Sequence, residues 1–268
     1  MTRICMAGVT GWTGRAIAAG ILDADDLTLS GALARKSAGL DVGDALGRAA
    51  TGVTITADVG EALDGAEVLI DYTHPEAVKE HSRAAIHRGI SVVIGTSGLT
   101  AEDYAALDAE ARAAGVGILA AGNFSLTAAL VQHFALIAAR HIGHFEVIDY
   151  AKAAKPDAPS GTAREMAERL GDVRQPELGY PLDQVGGTPE TRGGTVNGVQ
   201  VHALRLPSYT ASVEAIFAVP GARMTLRHDA GETAAPYVAG TLAAARKVRE
   251  VKGLVRGLDR LLFAEEAV

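Results

Sequence analysis

With a single cysteine, Cys5, in 268 residues, the chain cannot build an intramolecular disulfide framework, which fits a reducing compartment. Long apolar runs are also missing. Asp, Glu, Arg, His or Gly interrupts each one before it could span a bilayer, so no membrane segment is expected. The opening Met-Thr-Arg-Ile-Cys-Met-Ala-Gly is too short an apolar stretch for a cleavable signal, and a cytoplasmic protein is expected. There is no surplus of basic residues: 25 Lys and Arg stand against 32 Asp and Glu, a net charge of −7. That excludes a broad nucleic-acid footprint and confines any anion site to a local cluster. The eight histidines show no metal-ligand spacing, and no Ser-His-Asp arrangement can be argued from spacing. What is present is a globular balance, 48% hydrophobic and 21% charged, in a chain long enough for one large or two ordinary domains.

Residues 3–8 read as a short buried strand that runs directly into "GVTGWTGR" and a helix from about Thr13 to Leu22. Strands follow at 27–33, 67–73, 91–96 and 116–122, with helices over 77–89 and 101–115. This alternation predicts βαβ units and a parallel sheet. A further helix is expected over about 127–139. After Phe145 the pattern changes to the strands "FEVIDYA", "VQVHALRL", "SVEAIFAV" and "RMTLRHD", the last two joined by a Pro-Gly hairpin signal. The expectation is an α/β chain in two domains. One spans 1–125 and is completed by a C-terminal helix within 234–268; the other, 126–233, is a smaller α+β domain with a mixed sheet.

Gly8, Gly11 and Gly14 lie between a strand and a helix, where a pyrophosphate can approach only if no Cβ intervenes. Their G-x-x-G-x-x-G spacing is one residue looser than the familiar dinucleotide fingerprint, so a purely structural turn is the competing reading. The second strand should end in an acid if a ribose 2′-hydroxyl is to be bound, but here it ends Leu33-Ala34-Arg35-Lys36. Guanidinium and ammonium groups suit a 2′-phosphate, so NADPH is favoured and NADH remains possible. Solvated loop charges would look the same.

The stretch "DYAKAAKPDAPSGTA", residues 149–163, places Lys152 and Lys155 before Ser160-Gly161-Thr162 and a helical run. Pro156 and Pro159 hold the chain extended, and a glycine turn at a helix start presents free N–H groups to a carboxylate or phosphate. A capped helix with solvated lysines is an equally available reading.

With these stretches in view, the chain resembles the dihydrodipicolinate reductase family, which reduces a cyclic imino dicarboxylate of the lysine pathway. The resemblance is carried by "GVTGWTGRAI", "DYTHPEA", "VIGTSGLT", "AGNFSLT" and, most specifically, "KPDAPSGTA". It implies a Rossmann-like domain and a substrate domain whose sheet mediates a homotetramer. It also implies cofactor contacts at Gly8, Gly11, Trp12, Thr13 and Gly14, with Arg35 and Lys36 at the 2′-phosphate. Asp71, Tyr72, Thr73, Gly95 and Thr96 would line the nicotinamide side, with Asn123, Phe124 and Ser125 nearby and Ser97 toward the substrate. Ser160, Gly161 and Thr162 would hold a small-molecule imine or keto acid by its carboxylates, with Lys155 and Lys152 as the catalytic candidates.

The chain departs from the resemblance where the family carries E-x-H-H-x-x-K. Here the segment reads Asp149-Tyr150-Ala151-Lys152-Ala153-Ala154-Lys155. The presumed proton donor falls on Ala151, which has no proton to give. Either Lys152, Lys155 or water donates, or the substrate is an iminium that hydride transfer alone reduces. The second case implies a paralogue acting as an imine reductase or reductive amine dehydrogenase. A non-catalytic nucleotide-binding or assembly protein is the reading from another class.

Overall fold

The computed structural model of the chain describes residues 1–263, and the chain divides into two compact units. The first comprises Met1–Ser125 and the chain from Ala234 onward; the second is Leu126–Thr233.

The first unit begins with β1 (Thr2–Ala7), α1 (Trp12–Leu22), β2 (Leu27–Leu33), α2 (Val42–Leu46), β3 (Ile55–Thr56) and α3 (Val59–Ala62). It continues with β4 (Val68–Asp71), α4 (Pro75–Ile86), β5 (Ser91–Ile94), α5 (Ala101–Ala114) and β6 (Gly117–Ala120). The second unit holds α6 (Leu126–His141), β7 (His144–Ala151), α7 (Gly161–Val173), β8 (Gly194–Val196), β9 (Val199–Arg205), β10 (Ala211–Val219) and β11 (Ala222–Asp229). The chain then returns to the first unit with α8 (Ala235–Lys247), β12 (Gly253–Arg256) and α9 (Leu258–Leu262).

In the first unit seven parallel strands run in the order β12-β6-β5-β4-β1-β2-β3. The direction of winding reverses between β1 and β4, which opens a crevice at the carboxyl ends of those two strands. Strands β4, β5 and β6 are buried along their whole length, as expected of a sheet covered on both faces. The expected C-terminal helix ends earlier than its 234–268 window suggested. α8 stops at Lys247, and Gly253–Arg256 then pairs with Gly117–Ala120 as the edge strand of the sheet. The last five positions of that window lie outside the described residues.

The second unit is a mixed five-stranded sheet, β11-β10-β7-β9-β8, in which only β7 and β9 run parallel. Along β7 burial alternates: Phe145, Val147, Asp149 and Ala151 are buried while Glu146, Ile148 and Tyr150 are half-exposed. Period two places the first set on one face of the strand. There Phe145 and Val147 pack with Ala135, Ala138 and Ala139 of α6 and with Ala163, Met166, Ala167 and Leu170 of α7. The connection β7–α7–β9 is a parallel crossover, so the loop between β7 and α7 sits at the carboxyl end of the central strand.

Candidate active site

The residues singled out from the sequence in the first unit lie at or past the carboxyl ends of its strands. Gly8, Arg35, Tyr72, Gly95 and Asn123 all follow directly on, or within a few residues of, the carboxyl ends of β1, β2, β4, β5 and β6. Gly8 has φ +83°, and a Cβ there would lie 2.2 Å from the carbonyl oxygen of Tyr72, just past β4. A Cβ on Gly14 would lie 1.9 Å from the Gly8 carbonyl oxygen. The turn is therefore closed backbone on backbone, and Gly11 N–H donates to the Gly8 carbonyl at 2.9 Å. Gly11, exposed, is the residue left facing outward.

The start of α1 differs from its neighbours. Asp41, Asp58 and Thr100 cap α2, α3 and α5 with side-chain oxygens, and the first turns of α2 through α5 each hold an acid. Of these five helices α1 alone has neither, since its N-cap is Gly11. Its first N–H groups and the positive end of its dipole are left for an external anion. Trp12 is exposed, with its ring edge-on to Tyr237 at 6.1 Å between centroids. Arg35 and Lys36 are exposed, with no hydrogen-bonding or ionic partner among the described residues. A glycine cradle and an uncapped helix start fit the pyrophosphate of a dinucleotide.

Behind the cradle sits a hydrogen-bonded centre. Asp71 is fully buried; its Oδ1 accepts from Thr73 N–H at 3.0 Å, Thr73 Oγ1 at 2.6 Å and Thr96 Oγ1 at 2.7 Å. Its Oδ2 pairs with His81 Nδ1 at 2.8 Å. The carboxylate is thus spent inside the protein, tying the chain after β4 to the chain after β5. Tyr72 is also committed. Its hydroxyl bonds Thr241 Oγ1 at 2.8 Å, burial pushes that hydroxyl's pKa up, and its ring lies where a Cβ on Gly95 would be, 2.2 Å away. Phe124 is buried with its ring edge-on to Tyr72, and Asn123 Oδ1 accepts Ser125 N–H at 2.8 Å. Ser97 is exposed beyond β5, and Thr13 is half-buried in the first turn of α1. Cys5 lies buried in β1, and desolvation together with the Asp71 charge pushes its thiol up to about 12, so it is inert.

In the second unit the chain from Lys152 to Ser160 is built by side chains. Asp149, fully buried, accepts Ser160 N–H at 2.8 Å and Ser160 Oγ at 2.6 Å, and pairs with Arg205 Nη2 at 2.7 Å. The same Arg205 nitrogen donates to the Asp157 carbonyl at 2.7 Å. Ser160 Oγ in turn accepts from Ala163 N–H at 3.3 Å as the N-cap of α7, whose first turn contains no acid. Gly161 and Thr162 open that turn half-buried. Lys155 is partly buried and its Nζ pairs with Asp157 Oδ1 at 2.8 Å, whereas Lys152 is exposed. Glu165, one turn into α7, is buried and accepts from Gln132 Nε2 at 3.3 Å. Ala151 is fully buried at the end of β7, in register with Ala211 and Arg205.

Sequence reasoning brought out the glycines, the lysines and the turn, but not Arg205, Asp149 as an anchor, His81 or Thr241. Arg205 carried one readable signal, the single Lys, Arg, Asp or Glu of its strand "VQVHALR". The other partners are paired only by the fold. Among the described residues, no group of three or more His, Cys, Asp or Glu could hold a metal ion, and no helix is long and apolar enough to cross a membrane.

Two family models match the chain in succession: "Dihydrodipicolinate reductase, N-terminus" over residues 2–124 and "Dihydrodipicolinate reductase, C-terminus" over residues 125–262. The 4-hydroxy-tetrahydrodipicolinate reductase of Moorella thermoacetica is 38% identical over 264 residues, covering 97% of each chain. That of Thermosynechococcus vestitus is 36% identical, covering 98% of this chain and all of its own. Among solved structures, a dipicolinate-bound dihydrodipicolinate reductase from Paenisporosarcina sp. TG-14 superposes with a TM-score of 0.76 at 29% identity, over 97% of this chain and 99% of its own. An amine dehydrogenase from Mycobacterium smegmatis shares the fold at a TM-score of 0.62 and 15% identity, over 97% and 95% of the two chains. On the two successive family models and on full-length identity well above 30%, this chain belongs to the dihydrodipicolinate reductase family.

Proposed function

We propose that the protein is an NAD(P)H-dependent reductase of a cyclic imine-type dicarboxylate, like the 4-hydroxy-tetrahydrodipicolinate reductases it resembles. The observation that carries this reading is the anchored loop of the second unit: the fully buried Asp149 holds Ser160 and Arg205, Arg205 holds the Asp157 carbonyl, and Asp157 pairs with Lys155. A solvated lysine loop would not need a buried carboxylate beneath it, because burying such an ion is costly unless the geometry is fixed. In the first unit, Gly8, Gly11 and Gly14 with the start of α1 would hold the pyrophosphate. Arg35 and Lys36 favour a 2′-phosphate, hence NADPH over NADH. A bound nicotinamide nucleotide supplies a hydride.

The remaining work falls to the chain's own residues. Lys155 and the Ser160–Thr162 turn bind the substrate carboxylates and fix its orientation, which is where most of the entropic advantage of such a site arises. The Asp71 centre holds Thr73 and Thr96 rigid behind the nucleotide. Proton delivery is where a second reading has its own observation. Ala151 is fully buried, and Asp149, the titratable group two residues before it on the same face, is already saturated. Protonating an enamine carbon therefore falls to Lys152, Lys155 or water, whereas an iminium substrate needs no such acid. This favours a paralogue that reduces another imine, or couples a keto acid with an amine. A homotetramer goes with either reading, and Leu204, Val219 and Met224 stand exposed on the second sheet where a partner would cover them.

The test is nicotinamide oxidation followed at steady state with 4-hydroxy-tetrahydrodipicolinate, simple cyclic imines, and keto acid plus amine pairs. Lys155→Ala should raise KM for a carboxylate substrate strongly while leaving nucleotide affinity unchanged. Intact KM in that variant contradicts the assigned cradle. A missing acid should lower kcat on the lysine-pathway substrate by roughly 10²- to 10⁴-fold against ordinary family members. Ala151→His with Lys152→His should then recover part of that loss without improving an iminium substrate.

A further inference from the structure

We propose that Asp157 is a specificity-determining residue: its carboxylate occupies the Lys155 ammonium in the free protein, and a substrate carboxylate must displace it. The inference rests on the reading of Lys155 as a carboxylate ligand and adds that this ligand carries its own competitor. Three observations support it.

First, Asp157 Oδ1 lies 2.8 Å from Lys155 Nζ, and it is the sole ionic partner of that lysine among the described residues. A carboxylate oxygen at that distance sits where a ligand carboxylate would bind. The other acid of the segment cannot play this part, because Asp149 is fully buried and already holds Ser160 and Arg205.

Second, the Asp157 backbone is fixed independently of its side chain. Its carbonyl accepts Arg205 Nη2 at 2.7 Å, and Arg205 is itself held by Asp149. Pro156 precedes it and Pro159 follows two residues later, which limits the backbone further. The carboxylate can therefore rotate away from Lys155 without moving the loop that presents the lysine and the turn.

Third, both side chains remain reachable: 26% of Lys155 and 35% of Asp157 is exposed. Water can solvate the displaced carboxylate, so exchange of one carboxylate for another costs little beyond the ion pair itself. The pair accordingly acts as a toll on carboxylate ligands. It also shields the site from weak anions, which must compete with a carboxylate already tethered beside the lysine.

The probe is pyridine-2,6-dicarboxylate, titrated by calorimetry into the full-length protein with and without saturating NADPH. Asp157→Asn keeps the size and the backbone and removes the charge. It should tighten binding by about two- to fivefold, the range for a half-exposed ion pair. In the Lys155→Ala background, measured to millimolar ligand, the same change should have no effect, because the two residues act as one unit. NADPH affinity serves as the folding control and should not change. Unchanged or weaker binding by Asp157→Asn would show that the carboxylate orients the lysine instead of competing for it, and overturns the proposal. Equal tightening with and without Lys155 overturns it too, as a general charge effect. If Lys155→Ala alone binds the dicarboxylate as well as the unaltered protein, the cradle reading itself fails, and the proposal with it.

Discussion

The two strand-to-helix junctions that carry the candidate site are built on opposite plans. Between β1 and α1 the turn is closed by backbone atoms alone: Gly8 against the Tyr72 carbonyl, Gly14 against the Gly8 carbonyl. Between β7 and α7 the loop is held by side chains, with Asp149 at its root, Arg205 across its middle and Ser160 at its end. A backbone-built cradle presents the same N–H groups whatever surrounds it, but it admits no side chain at its contact points. A loop built by side chains can be retuned one residue at a time.

The comparison can be broken most severely in the second unit. Asp149→Ala leaves the partly buried Arg205 guanidinium and the Ser160 N–H without their acceptor and should cost about 3 kcal/mol in stability, the low end for breaking a buried pair. Dicarboxylate binding should vanish in calorimetry while nucleotide binding persists. Asp149→Leu combined with Arg205→Met sharpens the point, because an apolar pair often replaces a buried ion pair at little cost. Thermal unfolding should return near that of the unaltered protein, yet the dicarboxylate should still not bind. Recovery of binding would mean that the loop needs only packing beneath it.

A smaller loss is expected from Gly14→Ala in the first unit, about 1–3 kcal/mol for forcing a methyl against the Gly8 carbonyl. Here nucleotide affinity should fall and dicarboxylate affinity should not, the mirror image of the previous result. The smallest effect belongs to Arg35→Ala. Arg35 is exposed, so the proposed preference for NADPH over NADH should drop by only about 1 kcal/mol. Paired titrations with the two nucleotides check this, and an unchanged ratio would remove Arg35 from 2′-phosphate recognition.

Those features of the fold that were legible in the sequence are the local ones. "LTLSGAL" reads as a strand over Leu27–Leu33 and is β2 with those bounds, and "FEVIDYA", also read as a strand, lies within β7. The glycine spacing and the Ser160 cap could be read because each motif lies within a few residues. Partners distant in sequence were not legible. Arg205 and Asp149 stand 56 positions apart and Tyr72 and Thr241 stand 169 apart, and nothing in either segment specifies the other. Strand β12 escaped notice for the same reason, since its four residues have no ladder partner but β6. The short α2, β3 and α3 were missed because elements of two to five residues carry too little periodicity to register.

The late position of β12 also bears on the order in which the protein can be made. As the chain leaves the ribosome, all of β7 through β11 emerges before the last strand of the first sheet. The second unit, contiguous from Leu126 to Thr233, has every strand of its sheet in hand while β6 still presents an unpaired edge. Such an edge is an open template for another strand until Gly253–Arg256 arrives to occupy it. A nascent chain stalled between those two points would carry one finished sheet and one sheet open to pairing with its neighbours on the same message.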